Sequence, residues 1–226
     1  MRIFVVSDTH DIPISELELI SREAEKRQCD CIIHCGDLED EHFGHPALGD
    51  LPIWVYPTSL NVSIPQPLPS NWHVLQNDER QVIEFGRTKK TRIYVNHYLG
   101  VEVLRTQLGY PSLQAEAHEL LQRVRRKHGP ETAAILQAEL DAGSHPEAAW
   151  PKVMPFVMVE RIQKEFGEIH YALFGHSHHQ FFHVNKDTAL VNPGAFGKGY
   201  HDAYKRSYAV VDTKTWDVVF SKVILP

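Results

Sequence analysis

Two short apolar runs, each followed by an acidic residue, constrain the fold of this chain more than any other feature. Residues 2–6 run into Asp8 and residues 31–35 run into Asp37. Between them, residues 15–27 carry apolar side chains at helical spacing. This strand, helix, strand order predicts an α/β fold with parallel pairing. Because ligands bind outside the carboxyl ends of strands in such sheets, we expect the two aspartates to lie together.

The same kind of pattern predicts the remaining elements. Ser15 and Glu18 have the spacing of a capping box, which indicates that the first helix begins near Ser15. From about residue 101 to 166 the pattern is helical, with a break at Gly129-Pro130. We therefore predict one domain over residues 1–226 with a helical, cap-like insertion at about 101–166. Strands are predicted at 53–56, 72–76, 81–85, 91–96, 171–174, 181–184, 189–191, 208–211 and 216–223, and helices within the insertion at 112–127, 131–140 and about 155–166.

Composition excludes some classes of function. The net charge is −6 at pH 7 and the pI is about 6.2, which argues against a surface that binds long nucleic acid or an anionic membrane. The sequence shows no signal-peptide pattern and no apolar run near the ~18 residues of a membrane span. Three cysteines within seven residues do not suggest a secreted disulfide framework. We expect a cytoplasmic protein with reduced thiols and no membrane partner.

Side chains able to bind metals follow five separate strand-like runs. Each one alone is more often a helix cap or a solvated loop residue. Together they are carboxylate, amide and imidazole groups, which are the ligands that divalent Mn, Fe, Ni and Zn accept. The joint pattern predicts a divalent-metal site. Its members are Asp8, His10, Asp37, Asn61, His97, His176 and His178.

In their order along the chain these motifs resemble the calcineurin-like metallophosphoesterases. The signature of that family is Asp-x-His, Gly-Asp, Gly-Asn, a single His and Gly-His-x-His. The turn over residues 190–194 is similar to one in the small bacterial and archaeal phosphodiesterase branch, and the resemblance covers residues 1–100 and 168–226. The matching residues here are Asp8-Thr9-His10, Gly36-Asp37, Leu60-Asn61, Asn96-His97 and Gly175-His176-Ser177-His178.

The resemblance implies two mixed β-sheets packed as a sandwich between helices, and two divalent metal ions, with manganese favoured. One ion would take Asp8, His10 and His178, and the other would take Asn61, His97 and His176. Asp37 would bridge both ions. The implied activity is hydrolysis of a small phosphate ester by a metal-bridging hydroxide. Asp37, Asn61 and His97 are the implied catalytic residues.

Two departures from the family pattern bear on the substrate. Leu60 stands where glycine usually precedes the asparagine, and Val62 stands where many members have a histidine that protonates the leaving group. A general acid typically contributes about 10²- to 10⁴-fold in rate. Its absence favours phosphodiesters with good leaving groups over simple monoesters. Residues 96–100 also differ from the usual His-Gly-His, so His97 is assigned by its position.

Other functions stay open as alternatives. The same fold serves as a non-catalytic scaffold in a protein-trafficking subunit, although every ligand position here holds a competent residue. A phosphomonoesterase or a nuclease is a further alternative. The insertion is interpreted either as a lid that brings Tyr110, His118 or Trp150 towards the metals, or as a surface for a homo-oligomer or another partner. Its position directly after His97 favours the lid. His201 is interpreted either as a proton donor or as one more surface histidine.

Three further patterns have simple structural interpretations. The cysteines with His34 offer zinc ligands, but alternation along a buried strand favours Cys31 and Cys35 as core residues. The basic run over residues 123–127 is typical of a solvated helix face. Four histidines are interpreted as surface residues: His118, His128, His145 and His170.

Overall fold

The computed structural model describes residues 1–58, 64, 66–75, 81–86, 90–97, 117–141, 158–159, 162–176, 178–185, 187–197 and 205–224. In these residues the chain forms two mixed β-sheets that pack face to face, with helices on both outer faces. The predicted fold class is confirmed. The strands are β1 (Arg2–Val6), β2 (Cys31–His34), β3 (Ile53–Val55), β4 (Trp72–Val74), β5 (Val82–Phe85), β6 (Thr91–Val95), β7 (Tyr171–Leu173), β8 (Gln180–Asn185), β9 (Thr188–Pro193), β10 (Lys205–Asp212) and β11 (Asp217–Ile224).

The order of the strands places several carboxyl ends at one edge. The first sheet has the order β11-β10-β1-β2-β3-β4, and β1 through β4 are parallel neighbours. The second sheet has the order β5-β6-β7-β9-β8, with β6, β7 and β9 parallel. Parallel strands deliver their following loops to the same end of a sheet. The loops after β1, β2, β6 and β7 carry most of the predicted ligands.

The first helix, α1 (Ile14–Lys26), lies on the outer face of the first sheet. Its predicted apolar face is confirmed, since Leu17, Ile20 and Ala24 are fully buried against that sheet. The predicted capping box is wrong. The helix begins one residue earlier with Pro13 at the N-cap and no side-chain cap. Ser15 therefore lies inside the first turn, where its hydroxyl does not cap the helix.

Apolar side chains from both sheets meet in the central core. Ile3 and Val5 of β1 and Ile33 of β2 pack against Leu173 of β7 and Val191 of β9, and all five are inaccessible to solvent. Alternate residues of β1 and β2 face α1 instead. The parallel strands are thus covered on both faces, which explains why their sequences are continuous apolar runs.

The described part of residues 101–166, the predicted insertion, forms the outer helical layer of the second sheet. Helix α2 (Ala117–Asp141) contains the predicted break, because Gly129 has φ 87° and ψ 171° between two helical arms. Val124 and Leu136 from these arms pack with Ile162 against the outer face of the sheet. Tyr110 and Trp150 lie outside the described residues. The lid and the oligomer surface stay predictions.

Two of the simple interpretations agree with the structure and one needs correction. Cys31 and Cys35 are free thiols buried between the sheets, and Arg125 and Arg126 are exposed on α2. His170 is not a surface residue, since it is only 9% exposed and its Nδ1 accepts a hydrogen bond from the Arg92 backbone N–H at 3.1 Å. The side chains of His118 and His128, and all of His145, lie outside the described part of the chain.

Within the described ranges, no helix combines the length and the apolar character needed to cross a membrane.

Candidate metal centre

Backbone hydrogen bonds hold the loops after four strands against one another. The Asp8 N–H donates to the Gly36 carbonyl at 3.0 Å and the Thr9 N–H to the Asp37 carbonyl at 3.1 Å. The Gly175 N–H donates to the His97 carbonyl at 3.2 Å, which joins the loops after β6 and β7. These bonds join the loops in two pairs, and the His176 N–H, which donates to the Asp8 carboxylate, links one pair to the other.

Several of these ligand residues adopt a backbone conformation that L-residues rarely use. A positive φ is uncommon outside glycine, and clusters of such residues typically mark functional sites. Four such residues lie in the loops after β1, β2 and β7. These residues are Asp8 (φ 55°), Asp37 (φ 59°), His176 (φ 67°) and His178 (φ 58°).

The first set of donor atoms comprises Asp8, His10 and His178. The Nε2 atoms of His10 and His178 are 3.3 Å apart, and His178 Nε2 is 3.3 Å from Asp8 Oδ1. Two ligands at about 2.05 Å from a tetrahedral cation are separated by about 3.3 Å. The Nδ1 of His10 contacts the Asp11 carboxylate at 3.1 Å, the kind of outer contact that orients a metal-binding imidazole. This set fits a divalent cation.

The second set comprises Asp8, Asp37 and His97. His97 Nε2 lies 3.8 Å from Asp8 Oδ1 and 3.8 Å from Asp37 Oδ2. The opposite ring nitrogen, Nδ1, donates to the Cys35 carbonyl at 3.0 Å. That bond fixes the tautomer and turns the lone pair of Nε2 towards the two carboxylates. In each set the ligand atoms lie within 4.8 Å of one another. Asp8 belongs to both sets and Asp37 only to the second, so the bridging role that the resemblance implied for Asp37 stays a prediction.

The two remaining predicted ligands differ in how the structure places them. His176 lies at the same edge, where its backbone N–H donates to both Asp8 carboxylate oxygens at 3.1 and 3.2 Å. Its ring lies 5.4 Å from that of His97, edge to face. Asn61 lies outside the described residues. Its role as a ligand stays a prediction.

Charge states in the centre suit metal binding. Burial alone raises the pKa of the Asp8 carboxyl, but the hydrogen bond with His178 and the charge of His97 hold that pKa below its usual value. Burial lowers the pKa of His97, against the opposing pull of Asp8 and Asp37. The hydrogen bond to Asp8 raises the pKa of His178. A cation must displace the proton on His178, so metal affinity should increase with pH.

A buried pair behind the ligands was not found from the sequence. His34 Nδ1 accepts the Gly36 N–H at 3.2 Å, and its Nε2 donates to Thr9 Oγ1 at 2.9 Å. The Thr9 hydroxyl donates in turn to the Asp37 carbonyl at 3.3 Å. Burial lowers the pKa of His34 to about 3, so the ring is neutral. His34 and Thr9 thus couple the two aspartate loops, and only the Asp-x-His spacing of the first loop hinted at Thr9.

Two glycines are required by the close approach of these loops. A Cβ on Gly36, which has φ 108°, would lie 2.7 Å from the Cβ of His97. A Cβ on Gly175 would clash with Ser7 Oγ and approach Asp8 Oδ2 to 2.8 Å. Any larger residue would push the ligands apart. The glycines that precede Asp37 and His176 are thus explained by packing.

Comparison with known proteins identifies the fold through structure alone. No protein-family model matches the sequence, and no curated protein does. Solved structures match over the whole chain. An archaeal phosphodiesterase is 14% identical, with 100% of both chains covered and a TM-score of 0.52.

Two further matches are more distant. A predicted phosphoesterase from Streptococcus pneumoniae is 13% identical, with 99% of this chain and 97% of that chain covered and a TM-score of 0.45. The zinc complex of Vps29 from Entamoeba histolytica is 14% identical, with 99% of both chains covered and a TM-score of 0.45. The match to the archaeal phosphodiesterase shows that the chain has the calcineurin-like α/β fold, as its motifs predicted. At these identities the activity must be argued from the site.

Proposed function

We propose that the protein is a dinuclear-metal-dependent phosphodiesterase. The observation that carries this proposal is the pair of donor sets that share Asp8 at one edge of the sandwich. A shared carboxylate keeps two cations close together, as two-metal phosphoesterases require. His10 and His178 would complete one site, and His97 with Asp37 the other. His176 and Asn61 are proposed as further ligands of the second ion.

The ions would supply chemistry that is common to two-metal phosphoesterases. When bound, a close pair of divalent cations activates water at neutral pH and stabilises the charge that develops on a phosphoryl group. The donor chemistry, carboxylate and imidazole, accepts Mn, Fe, Ni or Zn, and we favour manganese.

The chain itself supplies fixed geometry and charge. Asp8 is fully buried and is held ionised by its histidine neighbours. His97 is fully buried and is held in one orientation by the Cys35 carbonyl. The Asp37 side chain, by contrast, is 42% exposed. The centre is therefore buried and fixed on the side of Asp8 and His97 and open to solvent on the side of Asp37. We place a small phosphate-ester substrate on the open side.

A preference for diesters rests on the residues around Asn61. Val62 stands where many relatives have a proton-donating histidine. A diester with a good leaving group needs no such donor, whereas a simple alkyl monoester does. The acidic net charge argues against long nucleic acid as the substrate. Three buried free thiols support a reducing, cytoplasmic location.

The test combines metal content with two model substrates. We expect elemental analysis of the purified protein to find close to two metals per chain. Hydrolysis of bis(p-nitrophenyl) phosphate should exceed that of p-nitrophenyl phosphate, stop on chelation and return with Mn²⁺. Bound metal without turnover of either ester would favour the scaffold alternative. Turnover that survives chelation would contradict the metal-dependent mechanism.

A further inference from the structure

A second group of metal-binding side chains follows the aspartate loop of the centre. Glu39, Glu41 and His42 lie on and next to a short 3₁₀ turn (Asp40–His42). Each residue offers one ligand atom, and these atoms lie within 4.8 Å of one another. None of the three belongs to the predicted ligand set of the dinuclear centre.

His42 is the informative member of this group. Its side chain is fully buried, and neither ring nitrogen has a hydrogen-bond partner within the described residues. A buried polar group without a partner costs about 1–3 kcal/mol. Acidic side chains alone often cluster on a surface without binding anything. A buried imidazole that points into such a cluster indicates a ligand.

The distances suit a cation better than a direct contact. His42 Nε2 is 3.7 Å from Glu41 Oε1, too long for a hydrogen bond. Two donors at 2.0–2.2 Å from one ion lie at most about 4.4 Å apart, so this pair fits around a cation as it stands. The Glu41 side chain is 64% exposed. It can adjust its rotamer at little cost to close the remaining gaps.

We propose that Glu39, Glu41 and His42 bind an additional divalent transition-metal ion, separate from the dinuclear centre. Two carboxylates and one imidazole suit Zn²⁺ or Mn²⁺ and leave coordination positions for water on the exposed side. The ion gives the buried ring of His42 its partner. It also neutralises part of the negative charge that Glu39, Asp40 and Glu41 concentrate in one turn.

The additional ion is linked to the centre through the backbone. Glu39 Oε1 accepts the Asp11 N–H at 2.9 Å, and Asp11 Oδ2 contacts His10 Nδ1 at 3.1 Å. An ion on Glu39 would therefore fix the residue that orients His10. The role of the additional ion is to position the loop that carries Asp11 beside the dinuclear centre.

Native mass spectrometry of the full chain, titrated with Zn²⁺ alone after chelation, tests the proposal. Glu41→Gln should bind one cation fewer than the wild type. His42→Gln should show the same loss. The Glu41 variant is the decisive one, because Glu41 is exposed and its substitution leaves the core intact. Asp40→Asn is the matched control, since it removes an equal charge from the same turn and should keep the wild-type count.

Each outcome decides the question. If Glu41→Gln retains the wild-type count, the site does not exist and the proposal is wrong. If Asp40→Asn loses the cation as well, binding is only a response to local charge and the proposal is wrong. Asp37→Ala should remove a different cation, so the double variant with Glu41→Gln should show both losses. Failure of the dinuclear centre is thus distinguishable from failure of this site.

Discussion

Two buried histidines at two strand ends differ in what their second ring nitrogen faces. His34 ends β2 and His97 follows β6, and burial lowers the pKa of both. Both ring nitrogens of His34 are hydrogen-bonded within the loops. His97 binds a backbone carbonyl through Nδ1 and turns Nε2 to the carboxylates of Asp8 and Asp37. Both rings are thus buried and both have a lowered pKa. The direction of the second ring nitrogen distinguishes the proposed ligand, His97, from the supporting residue, His34.

The largest expected effect tests whether those carboxylates are ligands at all. Asp37→Ala should abolish two-metal occupancy and lower kcat/KM for bis(p-nitrophenyl) phosphate by about 10³-fold or more, because losing about 4 kcal/mol of metal-based stabilisation corresponds to that factor. Elemental analysis and steady-state kinetics measure both. Asp40→Ala, an exposed acid in the next turn, should change neither. An Asp37→Ala protein with two metals and full activity would show that the Asp37 carboxylate is not a metal ligand.

A matched pair of substitutions tests the difference between His97 and His34 directly. His97→Ala and His34→Ala should both lower the free energy of unfolding, since each removes a buried, hydrogen-bonded ring. Only His97→Ala should lose a cation, with kcat/KM lower by about 10²-fold.

Metal content per folded chain and urea denaturation separate the two effects. His178→Ala should also remove one cation, from the first donor set, while leaving the second occupied. If His34→Ala lost metal as completely as His97→Ala, the distinction between ligand and support would be wrong.

The neutral state of His34 predicts a pH dependence of stability. Its folded pKa of about 3 lies below the usual value of 6.5. As the pH falls, His34 therefore takes up its proton at a higher pH in the unfolded chain than in the folded chain. The stability contributed by neutral His34 is present above about pH 6.5 and is lost as the pH falls towards about 3, by up to ~1.4 kcal/mol per pH unit.

Urea denaturation of the chelated protein across this range measures the slope. His34→Leu cannot take up the proton, so its stability should fall less steeply with acid than that of the wild type. Equal slopes in the two proteins would show that His34 is protonated in the folded chain.

The smallest effect concerns the hydroxyl that joins the two aspartate loops. Thr9→Val removes the link between His34 and the Asp37 carbonyl, which should cost about 1 kcal/mol of stability and about tenfold in kcat/KM. Thermal denaturation and kinetics measure these values. Thr9→Ser keeps the hydroxyl and should stay close to the wild type in both. A Thr9→Val enzyme with unchanged kinetics would limit this pair to a role in folding.

Much of this architecture could be predicted because it is encoded locally. The apolar runs of β1 and β2, the buried face of α1 and the break at Gly129 each depend on residues within one turn or strand. Local patterns failed where a neighbour in space decided the outcome. His170 is buried because the Arg92 backbone and Trp216 cover it, and neither is near it in the sequence.

The sequence by itself determined which chemical groups reach the carboxyl ends of the strands. It supplied Asp8, His10, Asp37, His97 and His178 in the order of a known signature. Tertiary structure alone decided that Asp8 serves both donor sets, that His34 supports rather than binds, and that His42 points into an acidic turn. The physical reason is that ligand identity is a property of one residue. Shared coordination depends on distances between atoms on strands that are far apart in the chain.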